Sequence, residues 1–281
     1  MVSLGILAGG GTLPGQVAAA AVASGRAVFI VGLEGFADRE VLAPYRHEFI
    51  RMGAAGRIIA TLRAQQCQDV VMIGTVRRPS LLDMRPDAGG MAILARIGRA
   101  AFAGDDGLLA AVARVLGEQG FRVLGAHEIL GELVAPHGLL SRAVPDDLAV
   151  RDIRRGIGVV LALGAADVGQ ACVVQQGIVL AVEAAEGTDA MLERCRGLSR
   201  TGPGGVLIKL VKPGQDRRAD LPTVGVQTIR GAVAAGLRGI VFEAGSSLLV
   251  GRAEAVAEAD ATAIFLWGVD PRDPAFRIDQ P

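Results

Sequence analysis

Lysine is almost missing from this chain: Lys209 and Lys212 are its only two, against a large complement of arginine. Aromatic residues make up 4%, too few for the stacking platforms on which single-stranded nucleic acids are held. Charge of one sign is also lacking, because 29 basic and 29 acidic side chains cancel. Proteins held to nucleic acid by phosphate neutralisation usually carry a basic excess, so no nucleic-acid partner is expected. Cysteine is scarce and odd in number (Cys67, Cys172, Cys195), with no C-x-x-C spacing. That excludes a zinc knuckle or a disulfide framework and suits a reducing, cytosolic compartment. No stretch of roughly 20 residues is apolar enough to span a bilayer. The first 25 residues lack charge and Ala21-Val22-Ala23 resembles a signal cleavage site. A basic n-region is absent, however, and the apolar run stops at Gly9-Gly10-Gly11 and Pro14 after a strand's length. A soluble or at most peripheral protein is expected.

What is present is a folded chain. Hydrophobic residues are 51% and charged residues 21% of 281, which excludes disorder and suggests two domains or one large one. Val2 to Ala8, Ala27 to Leu33 and Asp69 to Gly74 are short continuous apolar runs. They alternate with helical patterns over Leu13 to Ser24 and Gly53 to Gln66. That is the pattern of a parallel sheet covered on both faces. A helix over Met91 to Ala103, a second over Leu108 to Gln119 capped by Asp105 or Asp106, and a strand over Phe121 to Gly125 complete the first half. The expected class is α/β: a Rossmann-like, doubly wound N-terminal domain over 1–133, a linker over 134–147, and a mixed α/β domain with antiparallel pairs over 148–281. In the second half a hairpin turns at Gln175-Gln176-Gly177, and a short helix opens with Thr188 as its cap.

Several stretches invite a chemical reading beside a plain one. Gly9-Gly10-Gly11-Thr12-Leu13-Pro14 joins the first strand to the first helix, where backbone N–H groups suit a phosphate. Pro14 stands where the third glycine of a dinucleotide fingerprint would pack, and Glu34 lies near the place of a ribose-binding acid, so a nicotinamide site is possible but damaged. The alternative is a tight turn without a ligand. Gly74-Thr75 ends a parallel strand, where such sheets bind ligands, and equally reads as a turn. His127-Glu128 follows another strand end and reads either as a phosphate or base contact or as a helix cap. Glu183, Glu186 and Asp189 form an acidic cluster that suits Mg²⁺ or simple helix-dipole capping. Lys209 to Pro222 is the densest polar stretch, mixing cations with Asp216 and Asp220. That mixture suits phosphoryl chemistry, a solvated loop, or an N-cap at Asp220.

Taken in order, Leu7-Ala8-Gly9-Gly10-Gly11-Thr12-Leu13-Pro14, Gly104-Asp105-Asp106, Gly125-Ala126-His127-Glu128, Asp167-Val168-Gly169-Gln170, Glu183 to Met191 and Lys212 to Pro222 resemble the LpxI-type UDP-2,3-diacylglucosamine pyrophosphatase family. The resemblance spans nearly the whole chain. It implies a hydrolase of lipid A biosynthesis in Gram-negative bacteria, splitting UDP-2,3-diacylglucosamine into 2,3-diacylglucosamine 1-phosphate and UMP with Mg²⁺, its substrate enclosed between two domains. The family's essential aspartate in Asp-Leu-Pro maps to Asp220, the catalytic candidate, which reads as metal ligand or as water-orienting base, with Glu183 and Asp189 as further metal candidates. The substrate-binding candidates are Gly10, Gly11, Thr12, Leu13, Gly74, Thr75, His127, Glu128, Gln170, Thr188, Lys209 and Gln215. A lipid substrate implies peripheral contact with the cytoplasmic face of the inner membrane, and a homodimer is compatible with an enzyme of this size. The competing readings are a nicotinamide-dependent oxidoreductase and a non-catalytic nucleotide-sugar-binding module.

Overall fold

The computed structural model describes residues 3–76, 86–98, 105–218 and 221–276. The Arg77-Arg78-Pro79 loop, the end of the helix expected over Met91 to Ala103, Gly104 and Asp220 lie outside the described residues. The chain divides into two compact units, Met1–Gly131 with Asp216–Asp220, and Glu132–Gln215 with Leu221–Pro281.

In the first unit β1 (Ser3–Ala8), β2 (Val28–Leu33), β3 (His47–Ile50), β4 (Cys67–Ile73) and β5 (Arg122–Leu124) form one sheet. Its order is β3-β2-β1-β4-β5 and every pair is parallel. The central runs are apolar at nearly every position because helices cover both faces. Leu4, Ile6 and Ala8 of β1 are fully buried. On one face α3 (Ala55–Ala64) lays Ile58, Ile59 and Leu62 against Phe29, Val31 and Val70. Helix α1 (Leu13–Ala23) buries Val17, Ala18 and Ala21 and stops at Gly25, whose φ of 80° supplies the left-handed terminator. The winding reverses between β1 and β4, the place where sheets of this kind open a crevice for ligands.

One local expectation changes and two short helices and a strand are added. A short helix α2 (Arg39–Leu42) leads into β3, which the apolar runs do not announce. The helix after α4 (Ala88–Ile97) is α5 (Asp105–Glu118), so Asp105 and Asp106 lie within it rather than capping it. Helix α6 (Ala126–Ile129) closes the unit as a single turn.

The second unit holds β6 (Gly138–Leu139), α7 (Asp147–Ala165), β7 (Ala171–Gln175), β8 (Ile178–Val182), α8 (Gly187–Cys195) and β9 (Val206–Lys209). It continues with β10 (Thr223–Val224), α9 (Val226–Ala234), β11 (Gly239–Glu243), β12 (Leu248–Leu249), α10 (Arg252–Ala261) and β13 (Phe265–Val269). Six strands run in the order β6-β13-β11-β9-β7-β8. The pairs β13–β11 and β11–β9 are parallel; the pairs β6–β13, β7–β9 and β7–β8 are antiparallel. Met191, Leu192, Ile229 and Ala255 pack on Leu207, Ile240 and Phe242 on one face. Ile153, Ile157 and Val160 of α7 pack on Cys172, Ile208 and Val241 on the other.

The expected hairpin is present. Gln176 and Gly177 take φ of 54° and 77°, as a two-residue turn matched to strand twist requires. Fully buried Asp152 holds it, accepting from the N–H groups of Gln176 (3.0 Å) and Gly177 (2.6 Å). Where the sequence suggests a linker over 134–147, the structure has an edge strand. Val134 bridges to Leu248, buried Ala135 joins the core, β6 pairs with β13, and Asp146 caps α7. Pro136 and Gly138 read as breakers in sequence, but they stand at the entry of an edge strand, where the ladder tolerates them.

Candidate functional site

The reversal point of the first sheet is built from the two glycine-rich strand ends. The N–H of Gly10 donates to the Thr75 carbonyl (2.9 Å) and the N–H of Thr75 donates to the Gly10 carbonyl (3.0 Å). A Cβ on Gly9 would lie 2.7 Å from the Thr75 oxygen, and one on Gly74 2.7 Å from the Gly10 oxygen. These glycines therefore let two backbones touch. Gly11 has a φ of 86°, and its N–H donates to Asp38 Oδ2 at 2.8 Å. A carboxylate thus takes one of the N–H groups of this turn, the kind of group that faces a pyrophosphate in a dinucleotide fold. Thr12 makes no side-chain cap to α1, which begins at Leu13 with Pro14 in its first turn. Glu34 is exposed. None of these features adds support to a nicotinamide site, and Asp38 carried no sequence signal.

At the end of β5, Glu128 acts as the plain reading has it: Oε1 accepts from the N–H of Gly125 at 2.8 Å. His127 differs, since its buried Nδ1 finds no partner among the described residues. The imidazole folds onto Gly125, where a Cβ would lie 2.5 Å from Nδ1 and 3.0 Å from the carbonyl oxygen of Arg217. Next to Arg217, Arg218 closes on Asp216 through Nε (2.9 Å) and Nη2 (2.7 Å). That hydrogen-bonded guanidinium holds the Asp216 carboxyl below its usual range.

The second unit gathers the remaining candidates around Ala171. Ala171 pairs with Lys209 on β9, and its carbonyl accepts the N–H of Glu183 at the end of β8. Glu183 and Lys209, distant in sequence, therefore flank one residue. Both are buried, 5% and 8% exposed, and Thr188 between them is 9% exposed. Lys209 Nζ donates to Thr188 Oγ1 (2.9 Å), and Thr188 Oγ1 donates to Glu183 Oε1 (2.6 Å). Glu183 Oε2 accepts from the N–H of Gln170 (3.1 Å). Gly169 is required beside it, because a Cβ there would lie 2.1 Å from the Glu183 carbonyl oxygen. Thr188 is thus no helix cap; Glu186 occupies that position in α8, and the threonine hydroxyl is spent inward.

Lys209 also donates to the Thr223 carbonyl (3.1 Å), which the sequence did not single out. An ammonium has three N–H bonds, and these are the two acceptors it meets among the described residues. No carboxylate touches it there. One N–H of this buried ammonium is left without an acceptor among the described residues. Nearby, Gln170 Oε1 is buried and without a partner among the described residues. Gln215 closes its own turn, accepting from the Lys212 N–H at 3.1 Å, while Lys212 Nζ pairs with Asp167 at 2.7 Å.

Of the proposed metal set, only Glu183 and Asp189 lie among the described residues. Asp220 lies outside the described residues, Asp189 is exposed in the first turn of α8, and both Glu183 oxygens already accept hydrogen bonds. Among the described residues no group of three or more His, Cys, Asp or Glu is placed to hold an ion. None of the thiols offers a nucleophile. All three are free and buried, and burial pushes Cys172 up to about 12 and raises Cys67 and Cys195. A maleimide reagent at neutral pH should label none of them until denaturant is added; fast native labelling, read by intact mass, would contradict that burial.

Among the described residues no helix is long and apolar enough to cross a membrane. A solved structure, glycinamide-RNase-transformylase T from Mycobacterium tuberculosis, matches 65% of this chain and 44% of its own length at 15% identity. The TM-score is 0.25. A curated relative from Caulobacter vibrioides (strain ATCC 19089 / CIP 103742 / CB 15), named UDP-2,3-diacylglucosamine pyrophosphatase LpxI, is 43% identical over 279 residues. The match covers 97% of this chain and 99% of that one. Residues 3–133 match the LpxI N-terminal domain and residues 136–267 the LpxI C-terminal domain. With both domains matched in order along almost its whole length, the chain belongs to the LpxI family.

Proposed function

We propose that this chain hydrolyses UDP-2,3-diacylglucosamine to 2,3-diacylglucosamine 1-phosphate and UMP, a step of lipid A biosynthesis. The observation that carries the reading is the full-length relatedness to the Caulobacter protein of that name. In the reaction, water adds to the phosphorus bonded to the sugar, the bridging P–O bond breaks, and UMP leaves with the bridging oxygen. Such an ester carries negative charge on both phosphates and is slow to react unaided, so the site must supply positive charge and hold the water. Lys209 supplies charge through its third N–H. Gln170 offers a free acceptor to a donor on the substrate. Asp220, one peptide bond ahead of buried Leu221, orients the water or holds the metal.

Mg²⁺ is the proposed cofactor. It commonly binds through one or two carboxylates plus substrate phosphates, so a preformed cage is not required. When bound it would polarise the phosphoryl oxygens as a Lewis acid. Asp220 would hold it; the placements of Glu183 and Asp189 fit that role poorly. Two acyl chains on the substrate argue for peripheral contact with the cytoplasmic face of the inner membrane, and a homodimer is compatible with this reading.

The test is purified protein with UDP-2,3-diacylglucosamine and Mg²⁺, followed by phosphorus NMR in ¹⁸O water. UMP release is expected, with the label in the sugar phosphate. Asp220→Ala should abolish release while the far-UV circular dichroism is kept. Turnover at the wild-type rate in that variant would remove Asp220 from the site, and no turnover by the wild type would end the reading.

A further inference from the structure

Glu183 poses a chemical puzzle. A carboxylate that is 5% exposed is costly to bury, and it touches no cation directly among the described residues. Each oxygen has one donor: Thr188 Oγ1 at 2.6 Å on Oε1 and the Gln170 N–H at 3.1 Å on Oε2. The threonine hydroxyl has one proton. Since that proton goes to Glu183, the oxygen has only lone pairs left for Lys209, and it accepts from Nζ at 2.9 Å. The hydroxyl therefore has a fixed polarity, donor toward Glu183 and acceptor toward Lys209. Without the carboxylate the hydroxyl would be free to rotate and to compete for other acceptors.

The ammonium is held from two sides. Thr188 Oγ1 takes one N–H and the Thr223 carbonyl another, at 3.1 Å. With two of three tetrahedral directions fixed, the third is fixed as well. Neither anchor is loose: Thr188 stands in the first turn of α8, while Thr223 lies in β10, which pairs with β12. The parts come from β8, α8, β9 and β10, so the arrangement belongs to the folded unit and not to one loop.

We infer that Glu183 is a positioning residue that aims the third N–H of Lys209 at the substrate's diphosphate through the Thr188 hydroxyl, and is not a metal ligand. This rests on the proposed function for the identity of the anion, but not for the relay itself. The relay has a consequence that a metal-ligand role lacks: Glu183 and Thr188 must act as one unit. Removing either should cost the same step by the same amount.

Three variants and two readouts test it. Glu183→Gln and Thr188→Val should each lower kcat by about a hundredfold, the scale of misplacing a reacting group by an ångström. The Mg²⁺ concentration giving half-maximal rate should stay where it is in the wild type. Thr188→Ser restores the hydroxyl and should restore kcat, which a loss of packing alone would not predict. The second readout needs no substrate. Because the chain has only two lysines, ¹⁵N-lysine labelling gives at most two side-chain signals, and Lys212, paired with Asp167, is the internal reference. Lys209 Nζ should be protected from hydrogen exchange in the wild type and in Thr188→Ser, and lose that protection in Glu183→Gln and Thr188→Val, with Lys212 unchanged. An unmoved Lys209 signal in Glu183→Gln would overturn the relay, whatever the enzyme's substrate. So would a raised Mg²⁺ requirement in Glu183→Gln with Thr188→Val left active. A wild type that turns over no UDP-2,3-diacylglucosamine would remove the anion's identity and leave the NMR result to decide the relay.

Discussion

Lys209→Met should lower UMP release by about two to three orders of magnitude, the cost of deleting one donor aimed at developing charge in a water-poor site. Methionine is the chosen replacement because its unbranched stem fills the space of the lysine stem at a position only 8% exposed. The substitution also removes the cation that Glu183 reaches through Thr188, so a cost of about 1–3 kcal/mol in stability is expected beside the catalytic one. The two effects separate in the double variant Lys209→Met with Glu183→Gln. Neutralising the carboxylate should return most of the lost stability, followed as the urea midpoint. It should return none of the lost turnover, because the diphosphate still lacks its cation. Recovery of UMP release in the double variant would mean that Lys209 serves the fold and not the reaction.

The sequence carried the parts of this molecule that repeat a strong local pattern. Continuous apolar runs located β1, β2 and β4, because strands buried on both faces need an apolar residue at nearly every position. The helical pattern over Leu13 to Ser24 became a helix over Leu13–Ala23. The Gln176-Gly177 turn was equally legible, since two successive positive φ angles need permissive residues. Edge elements were not. Strand β3 buries only Ile50 fully, with His47 exposed, so His-Glu-Phe-Ile has no run to detect. Strand β6 was hidden behind Pro136 and Gly138. At the site the family motifs named Thr188, Gln170 and Glu183, and the polar stretch named Lys209, but neither gave their geometry. Contact between Glu183 and Lys209 is a matter of register: Ala171 meets Lys209 on one side and the Glu183 N–H on the other. A one-dimensional reading sees Thr188 beside Glu186 and Asp189 and assigns it a cap; only the pairing of β7 with β8 and β9 turns its hydroxyl inward. Asp38 illustrates the same limit, because the stretch that carries it has no motif, yet it decides what the Gly11 N–H can bind.

Asp69→Ala should destabilise the first unit by about 3 kcal/mol at neutral pH, the scale of breaking a buried, charge-assisted set of hydrogen bonds. Asp69 is 3% exposed at the start of β4, between Leu4 on β1 and Arg122 on β5. Arg122 grips both oxygens, Nε at 2.7 Å from Oδ1 and Nη2 at 2.8 Å from Oδ2, and Arg26, ahead of β2, shares Oδ2. One carboxylate thus ties together the ends of three strands, where the sheet has no helix turn to hold it. The Arg122 hydrogen bonds, with the charges of Arg122 and Arg26, lower its pKa from the ordinary carboxylate value despite burial. The sign follows from linkage. A carboxyl whose folded pKa lies below its unfolded value, about 3.9, contributes its full stability above that unfolded value and loses it as pH falls through the folded pKa. The gap between wild type and Asp69→Ala in urea midpoint, followed by far-UV circular dichroism, should therefore be constant from pH 7 to pH 5. It should narrow below about pH 4 as the wild-type carboxyl takes up its proton. Asp69→Asn keeps the shape without the charge and should lie between the two at neutral pH. A gap that stays constant down to pH 2 would mean that packing, and not the ionised carboxylate, holds these strand ends together.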